Sequence, residues 1–149
     1  MFKSTVFSYS LKLFLIIYSL AGTIQDNESA SSYGVLRGLH YQKSPYEQSK
    51  LIRVSSGEIQ DVIVDLREES KTYGKWESYT ISSDSNRVLF VPKGFAHGFL
   101  VLSENAIVNY KVDNYYNKDS ERGINYNDLS LDIKWMLDES QIIINQKDL

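Results

Sequence analysis

Cysteine is absent from the 149 residues. That excludes a disulfide framework, a thiolate metal centre and a cysteine nucleophile, and it leaves the redox compartment open. Proline and histidine are both scarce, at two residues each, so imidazole chemistry has few places to reside. No long basic run occurs and the formal net charge is −3, which removes the electrostatic footprint of a nucleic-acid binder. A local cluster of a few cations would still suffice for a diphosphate. Long amphipathic helical periods are missing, which argues against an α/β architecture. So are a Gly-rich dinucleotide fingerprint and the strand-to-helix serine elbow of a Ser-His-Asp hydrolase. No tandem repeat or low-complexity linker is visible.

The length fits one domain with a single core. Apolar residues make up 42% and charged residues 23%, an ordinary globular balance. The aromatic share is 13%, with eleven Tyr, and such residues favour strands. Short apolar or alternating runs cover 51–54, 59–66, 76–81, 88–91, 99–102 and 106–112, each bounded by turn residues such as Ser55-Ser56-Gly57 and Pro92-Lys93-Gly94. In the second run Val62, Val64 and Leu66 share one face, and Asp61, Ile63 and Asp65 share the other. This spacing predicts an all-β sandwich or barrel, and a jelly roll is one natural closure. The polar stretch 114–130 reads as a loop with one helical turn, of the kind that carries binding groups.

Residues 1–24 form an atypical hydrophobic segment ahead of a domain over 25–149. The run Leu13-Phe14-Leu15-Ile16-Ile17-Tyr18-Ser19-Leu20 is too short to cross a bilayer as a helix. It reads either as a secretory core, with Lys3 before it and Ser19-Leu20-Ala21 as a cleavage-like site, or as a buried strand of the domain.

The two histidines sit in unusual settings. His40 lies in Arg37-Gly38-Leu39-His40-Tyr41-Gln42, and His97 in Pro92-Lys93-Gly94-Phe95-Ala96-His97-Gly98-Phe99. A single imidazole is more often a hydrogen-bonded structural residue than a catalyst, although its near-neutral pKa suits both. The Pro-x-Gly-x-x-His pattern at 92–97 resembles the second cupin motif. The first cupin motif would supply a His-x-His pair and a Glu, and that pair is missing. A three-histidine metal site cannot be built from two histidines, so no catalytic metal is expected. The acid–base groups that remain are His40, Lys50, Asp61, Asp65, Tyr110 and Asp148. Asp61 and Asp65 share a predicted strand and read as structural. Residue chemistry alone leaves two options: a cofactor-free acid–base enzyme, or a sugar-binding cupin without activity.

A set of ordered motifs narrows this. Gly34-Val35-Leu36-Arg37-Gly38-Leu39-His40-Tyr41-Gln42, Lys50-Leu51-Ile52-Arg53-Val54, Gly57-Glu58-Ile59-Gln60-Asp61-Val62, Asp65-Leu66-Arg67, Thr72-Tyr73-Gly74, the run 91–99, Tyr110-Lys111, Tyr115-Tyr116 and Lys147-Asp148 follow one another with few gaps. With Gln25-Asp26-Asn27 upstream, the set resembles the dTDP-4-dehydrorhamnose 3,5-epimerase family over residues 25–149. The resemblance implies a dimeric, cupin-type jelly roll (a double-stranded β-helix) without metal or organic cofactor. It implies inversion of C3 and C5 of dTDP-4-dehydro-6-deoxy-D-glucose on the way to dTDP-rhamnose. A single-carbon epimerase of another deoxysugar pathway, or a non-catalytic sugar-nucleotide-binding cupin, are the alternatives.

By the same resemblance His40 is the general base, Asp148 the carboxylate that orients it, Lys50 the cation beside the C4 oxygen and Tyr110 the acid on the opposite ring face. Substrate binding falls to Gln25, Asn27, Arg37, His97, Tyr116 and Glu121. A nucleotide-sugar substrate implies a cytoplasmic location, with no nucleic-acid or membrane partner. The chain departs from the family upstream: it has no Arg before Arg37 and no Glu before Glu28, where the family carries an Arg and an acidic residue that reach the substrate.

Overall fold

The structure, a computed structural model, describes residues 5–8 and 22–145. Among these residues the regular elements are strands and two short 3-10 turns, with no α-helix. The strands are β1 (Thr5–Ser8), β2 (Gln25–Ser32), β3 (Val35–Gln42), β4 (Lys50–Ser56), β5 (Glu58–Asp65), β6 (Trp76–Ser82), β7 (Arg87–Val91), β8 (Phe95–Val101), β9 (Asn105–Val112), β10 (Glu121–Gly123) and β11 (Ile143–Ile144). They form a five-stranded sheet, β1-β7-β4-β9-β2, and a second sheet ordered β10-β3-β8-β5-β6, with β11 beside the start of β3. All pairings are antiparallel except β11 with β3. This is the jelly roll that the strand spacing predicts.

Each expected run is found, with small shifts at the ends. The largest is in β8, which begins at Phe95, because the strand resumes directly after the Lys93-Gly94 turn. Two regions differ in kind. β2 is polar at every position but Ala30, and no apolar alternation marks it. It forms because all eight residues pair with β9, from Gln25 opposite Val112 to Ser32 opposite Asn105. The stretch 114–130 holds no helix, and its one helix-like turn is the pair of bonds from the Ser120 and Glu121 N–H groups to the Asn117 carbonyl, both 3.1 Å. It contributes β10, whose three residues extend β3 along the His40–Gln42 end.

The β5 alternation holds as read. Ile59 and Ile63 point between the sheets and join Ile52, Leu89, Phe99 and Val108 in the main core. Val62 and Val64 point the other way, with Leu39 and Ala96, and are covered by Ile124, Leu131, Ile133 and Trp135. This return segment is keyed to the sheet by Gln60. Its amide donates to the Lys134 carbonyl at 2.9 Å and accepts from the Met136 N–H at 2.7 Å. Both faces of this sheet are thus closed, which is why β5 is buried continuously from Ile59 to Asp65. Burying such a Val or Ile contributes about 1.5–3 kcal/mol.

Of the hydrophobic front segment, Thr5–Ser8 forms the edge strand β1 beside β7. The run Leu13–Leu20, and with it the choice between secretory core and strand, lies outside the described residues, as does Asp148.

Candidate active site

At one end of the sandwich the inner faces change from apolar to polar. On β4 the inward series Val54, Ile52 ends at Lys50; on β9 the series Ala106, Val108 ends at Tyr110; on β8, Phe99 and Val101 are followed inward by His97. The result is a cavity of about 940 Å3 against the core. His40, Lys50, Tyr110 and His97 all line it, with Arg37, Tyr116 and Glu121 toward the mouth.

β3 supplies two of these residues by an irregularity. Arg37 and His40 are three positions apart, so a regular strand would send them to opposite faces. The register between β3 and β8 shifts between Arg37 and His40, and both then face the cavity while Leu39 turns into the outer cluster. Gly38 makes this possible. Its φ is +113°, and a Cβ there would sit 2.5 Å from the Cα of Gly98, a contact no other residue tolerates. Beyond the bulge His40 pairs with His97 across the sheet and with Gly123 on β10.

Three groups have their electrostatics set by the cavity. Burial draws the Lys50 ammonium down from 10.5 to about 8, against the opposing pull of the Asp61 and Glu121 carboxylates. Burial also raises the Tyr110 phenol above 10.0, with the Arg37 cation opposing and Glu121 adding, so the phenol keeps its proton at neutral pH. Tyr116 donates to Glu121 Oε2 at 2.7 Å, and that bond raises its own pKa.

His97 is 8% exposed and its Nε2 lies 2.9 Å from Oδ2 of Asp61, which is fully buried. The ring donates to that oxygen in the tautomer that carries its proton on Nε2. The other Asp61 oxygen, Oδ1, has no hydrogen-bond partner. Asp61 does not itself line the cavity, but it is tied to His97, which does. A charge in the buried stretch of β5 needs a partner, and His97 is that partner.

Tyr116 is positioned by Gln42 at the end of β3. That side chain donates to the carbonyls of Tyr46 and Tyr115 at 2.6 and 3.1 Å and accepts from the Asn117 N–H at 2.6 Å. One amide thus ties two loops together around the cavity mouth.

The structure brings together His40, Lys50, Tyr110, Arg37, His97, Tyr116 and Glu121. It does not bring Gln25 and Asn27 to the same cavity. They bond to each other at 2.8 Å on β2, and Asn27 borders a separate shallow groove with Arg53 and Lys111. Gln48 and Arg122 line the cavity without a sequence signal, because β10 and the 43–49 loop reach it only through tertiary pairing. No cluster of three or more metal-type ligands occurs among the described residues.

Fold and site together define a cupin-type acid–base isomerase. The dTDP-4-dehydrorhamnose 3,5-epimerase family profile matches residues 5–149, and the chain belongs to that family. A dTDP-4-dehydrorhamnose 3,5-epimerase from Shigella flexneri is 48% identical over 126 residues, 85% of this chain and 68% of that relative. The crystal structure of the corresponding enzyme from Elizabethkingia anophelis NUHP1 matches with a TM-score of 0.85 and 46% identity, covering 98% of this chain and 85% of that one. The Legionella pneumophila Philadelphia 1 enzyme in complex with dTDP-4-keto-L-rhamnose matches at 44% identity and a TM-score of 0.83, covering 95% and 74%.

Proposed function

We propose that this chain inverts C3 and C5 of dTDP-4-dehydro-6-deoxy-D-glucose, giving dTDP-4-dehydro-L-rhamnose. The observation that carries this reading is the convergence of His40, Lys50 and Tyr110, from three different strands, on one cavity. Both carbons flank the C4 ketone, so loss of either proton leaves an enolate. His40 takes the proton: the C–H bond breaks and its electrons move onto the C4 oxygen. The Lys50 ammonium stabilises that oxygen where charge grows, the largest contribution a fixed cation makes. The Tyr110 phenol gives a proton to the opposite ring face, completing the inversion. Solvent then resets the imidazolium and the phenolate. The raised Tyr110 pKa supports the donor role, since the phenol is protonated when the enolate forms.

In this reading Asp148 orients the His40 ring. Arg37 meets the diphosphate with its paired N–H donors, and Tyr116, His97 and Glu121 complete the substrate contacts. No cofactor takes part. A homodimer belongs to the same reading, with Gln25 and Asn27 on an edge strand available to a second copy; a monomeric mass at micromolar concentration would end that part. The substrate is a cytoplasmic nucleotide sugar, which assigns the chain to the cytoplasm. No helix among the described residues is long and apolar enough to cross a membrane.

The test is exchange in heavy water. Deuterium should enter both C3 and C5, and His40→Asn should reduce exchange by about 10²–10⁴-fold while dTDP still binds. No exchange at either carbon by folded protein rejects the reading. Exchange at one carbon selects a single-carbon epimerase, and dTDP binding without exchange selects a binding cupin.

A further inference from the structure

We infer that Gln42, which does not itself line the cavity, is the positioning residue of its mouth: one side-chain amide holds both peptide groups that flank Tyr116, so the ring stands preset for the nucleotide part of the substrate. The inference deepens the proposed function and rests on it for the ligand, but not for the geometry.

Tyr116 has little else to hold it. It lies in the 113–120 loop between β9 and β10. It is 55% exposed and joins neither apolar cluster, so packing does not fix its ring. Hydrogen bonds do, from both ends. Gln42 is buried at the end of β3. Its Nε2 donates to the Tyr115 carbonyl at 3.1 Å, and its Oε1 accepts from the Asn117 N–H at 2.6 Å. Those two groups belong to the planar peptide units on either side of Tyr116. Holding both fixes the only two soft backbone torsions between them, and with these the direction in which the side chain leaves. At the far end the Tyr116 hydroxyl donates to Glu121 at 2.7 Å, and Glu121 is the β10 residue opposite Gln42 in the β3–β10 pairing. The circuit of contacts closes on Gln42 itself.

The second Nε2 proton goes to the Tyr46 carbonyl at 2.6 Å, which brings in the 43–49 loop. That loop is also bonded to the foot of the Tyr116 loop. Asn114 donates to the carbonyls of Pro45 and Glu47 at 3.0 and 3.2 Å, and Gln48 donates to the Asn114 carbonyl at 2.8 Å. Two loops distant in sequence thus form one rim, with Gln42 beneath it. The partners set the orientation of the amide, because two carbonyls face its nitrogen and one N–H faces its oxygen.

The consequence is affinity, not chemistry. His40, Lys50 and Tyr110 stand on strands, outside the two loops that this amide joins. A rim ordered in advance spares binding the entropy of ordering it when the ligand arrives. Without the amide, the ligand itself has to order Tyr116.

The test is a double-mutant cycle on the full chain, with dTDP as the probe. Gln42→Met keeps a similar volume and removes the bonds to Tyr46, Tyr115 and Asn117. It should weaken dTDP binding about tenfold and raise KM alike, with kcat within about threefold of native. Tyr116→Ala should weaken dTDP by a similar factor. Adding Gln42→Met to Tyr116→Ala should cost no further affinity, because a positioning residue acts only through what it positions. Additive losses overturn the inference, as does native affinity in Gln42→Met. Amide hydrogen exchange of the native chain supplies a readout that needs no variant: the Asn117 N–H should be protected like a strand amide. An unprotected Asn117 N–H overturns the inference even if Gln42→Met does not fold. A native chain that protects Asn117 and binds no dTDP leaves the clamp on Tyr116 standing and rejects the nucleotide reading instead.

Discussion

Asp61 and Asp65 lie on one strand, share its inward face and are both closed to solvent, yet their surroundings are opposite. Asp65 receives the Arg67 guanidinium at 2.8 and 2.6 Å, the Ser70 hydroxyl at 2.7 Å, the Thr72 hydroxyl at 2.6 Å and the Arg67 N–H at 3.0 Å. These bonds outweigh its burial and hold the carboxyl well below the usual carboxylate range. The Arg67 guanidinium is itself stacked 4.5 Å from the Phe95 ring centroid. Every lone pair is occupied, and nothing is left for a ligand. Asp61 has one partner, His97, and one oxygen without a hydrogen bond. The Asp65 end of β5 closes the 66–75 turn, whereas the Asp61 end holds a site in readiness.

Substitutions can break this contrast. The largest effect should come from Lys50→Met, at about 10²–10³-fold in kcat, the cost of losing one preorganised charge at the developing oxyanion. The same change should leave thermal stability unchanged or raised, because it removes a desolvated cation. A drop in Tm with retained exchange would assign Lys50 to the Asp65 kind of role.

Asp65→Asn should behave in the reverse manner. It should lower stability by about 3 kcal/mol, read by chemical denaturation, and leave kcat of the folded protein near native. Its pH dependence follows from the sign of the shift. A depressed folded pKa adds stability that is complete above the unfolded value of 3.8 and is lost as pH falls through the folded one. The native protein should therefore weaken below about pH 4 by a component that Asp65→Asn lacks.

Tyr110→Phe removes the donor on one ring face without disturbing the core on which that ring packs. Turnover should fall about 10²-fold with dTDP affinity retained. Deuterium exchange by His40 should persist more strongly than inversion, measured by comparing label uptake with product stereochemistry. The smallest effect should be at Tyr116→Phe. The lost bond to Glu121 is exposed, so dTDP affinity should change by less than about threefold in a titration.

The sandwich was legible because strand alternation is local. The sides of Val62, Val64, Asp61 and Asp65 could be read from β5 alone, and every apolar run from 51 onward became a strand. β2 was not legible. Its residues, Gln-Asp-Asn-Glu-Ser-Ala-Ser-Ser, have low strand preference, and pairing with β9 overrides it. His40, Lys50 and Tyr110 were nameable because their motif carries them. Gln25 and Asn27 were nameable for the same reason, but they bond to each other along β2 and do not line the cavity. The partner of Asp61, His97, was not legible either, because a sequence shows that a charge is buried in a strand, not which side chain of another strand meets it.

By itself, the order of apolar and turn residues determined an all-β sandwich, and the motif series determined the family and the chemical inventory. Only the tertiary structure decided that Arg37 and His40 share one face, because a bulge at Gly38 depends on contact with Gly98 across the sheet. It also decided that Asp61 of β5 meets His97 of β8 in the interior. Alternation is a short-range property of one strand, while register and charge coupling are relations between strands distant in sequence, and those are fixed only when the sheets close on each other.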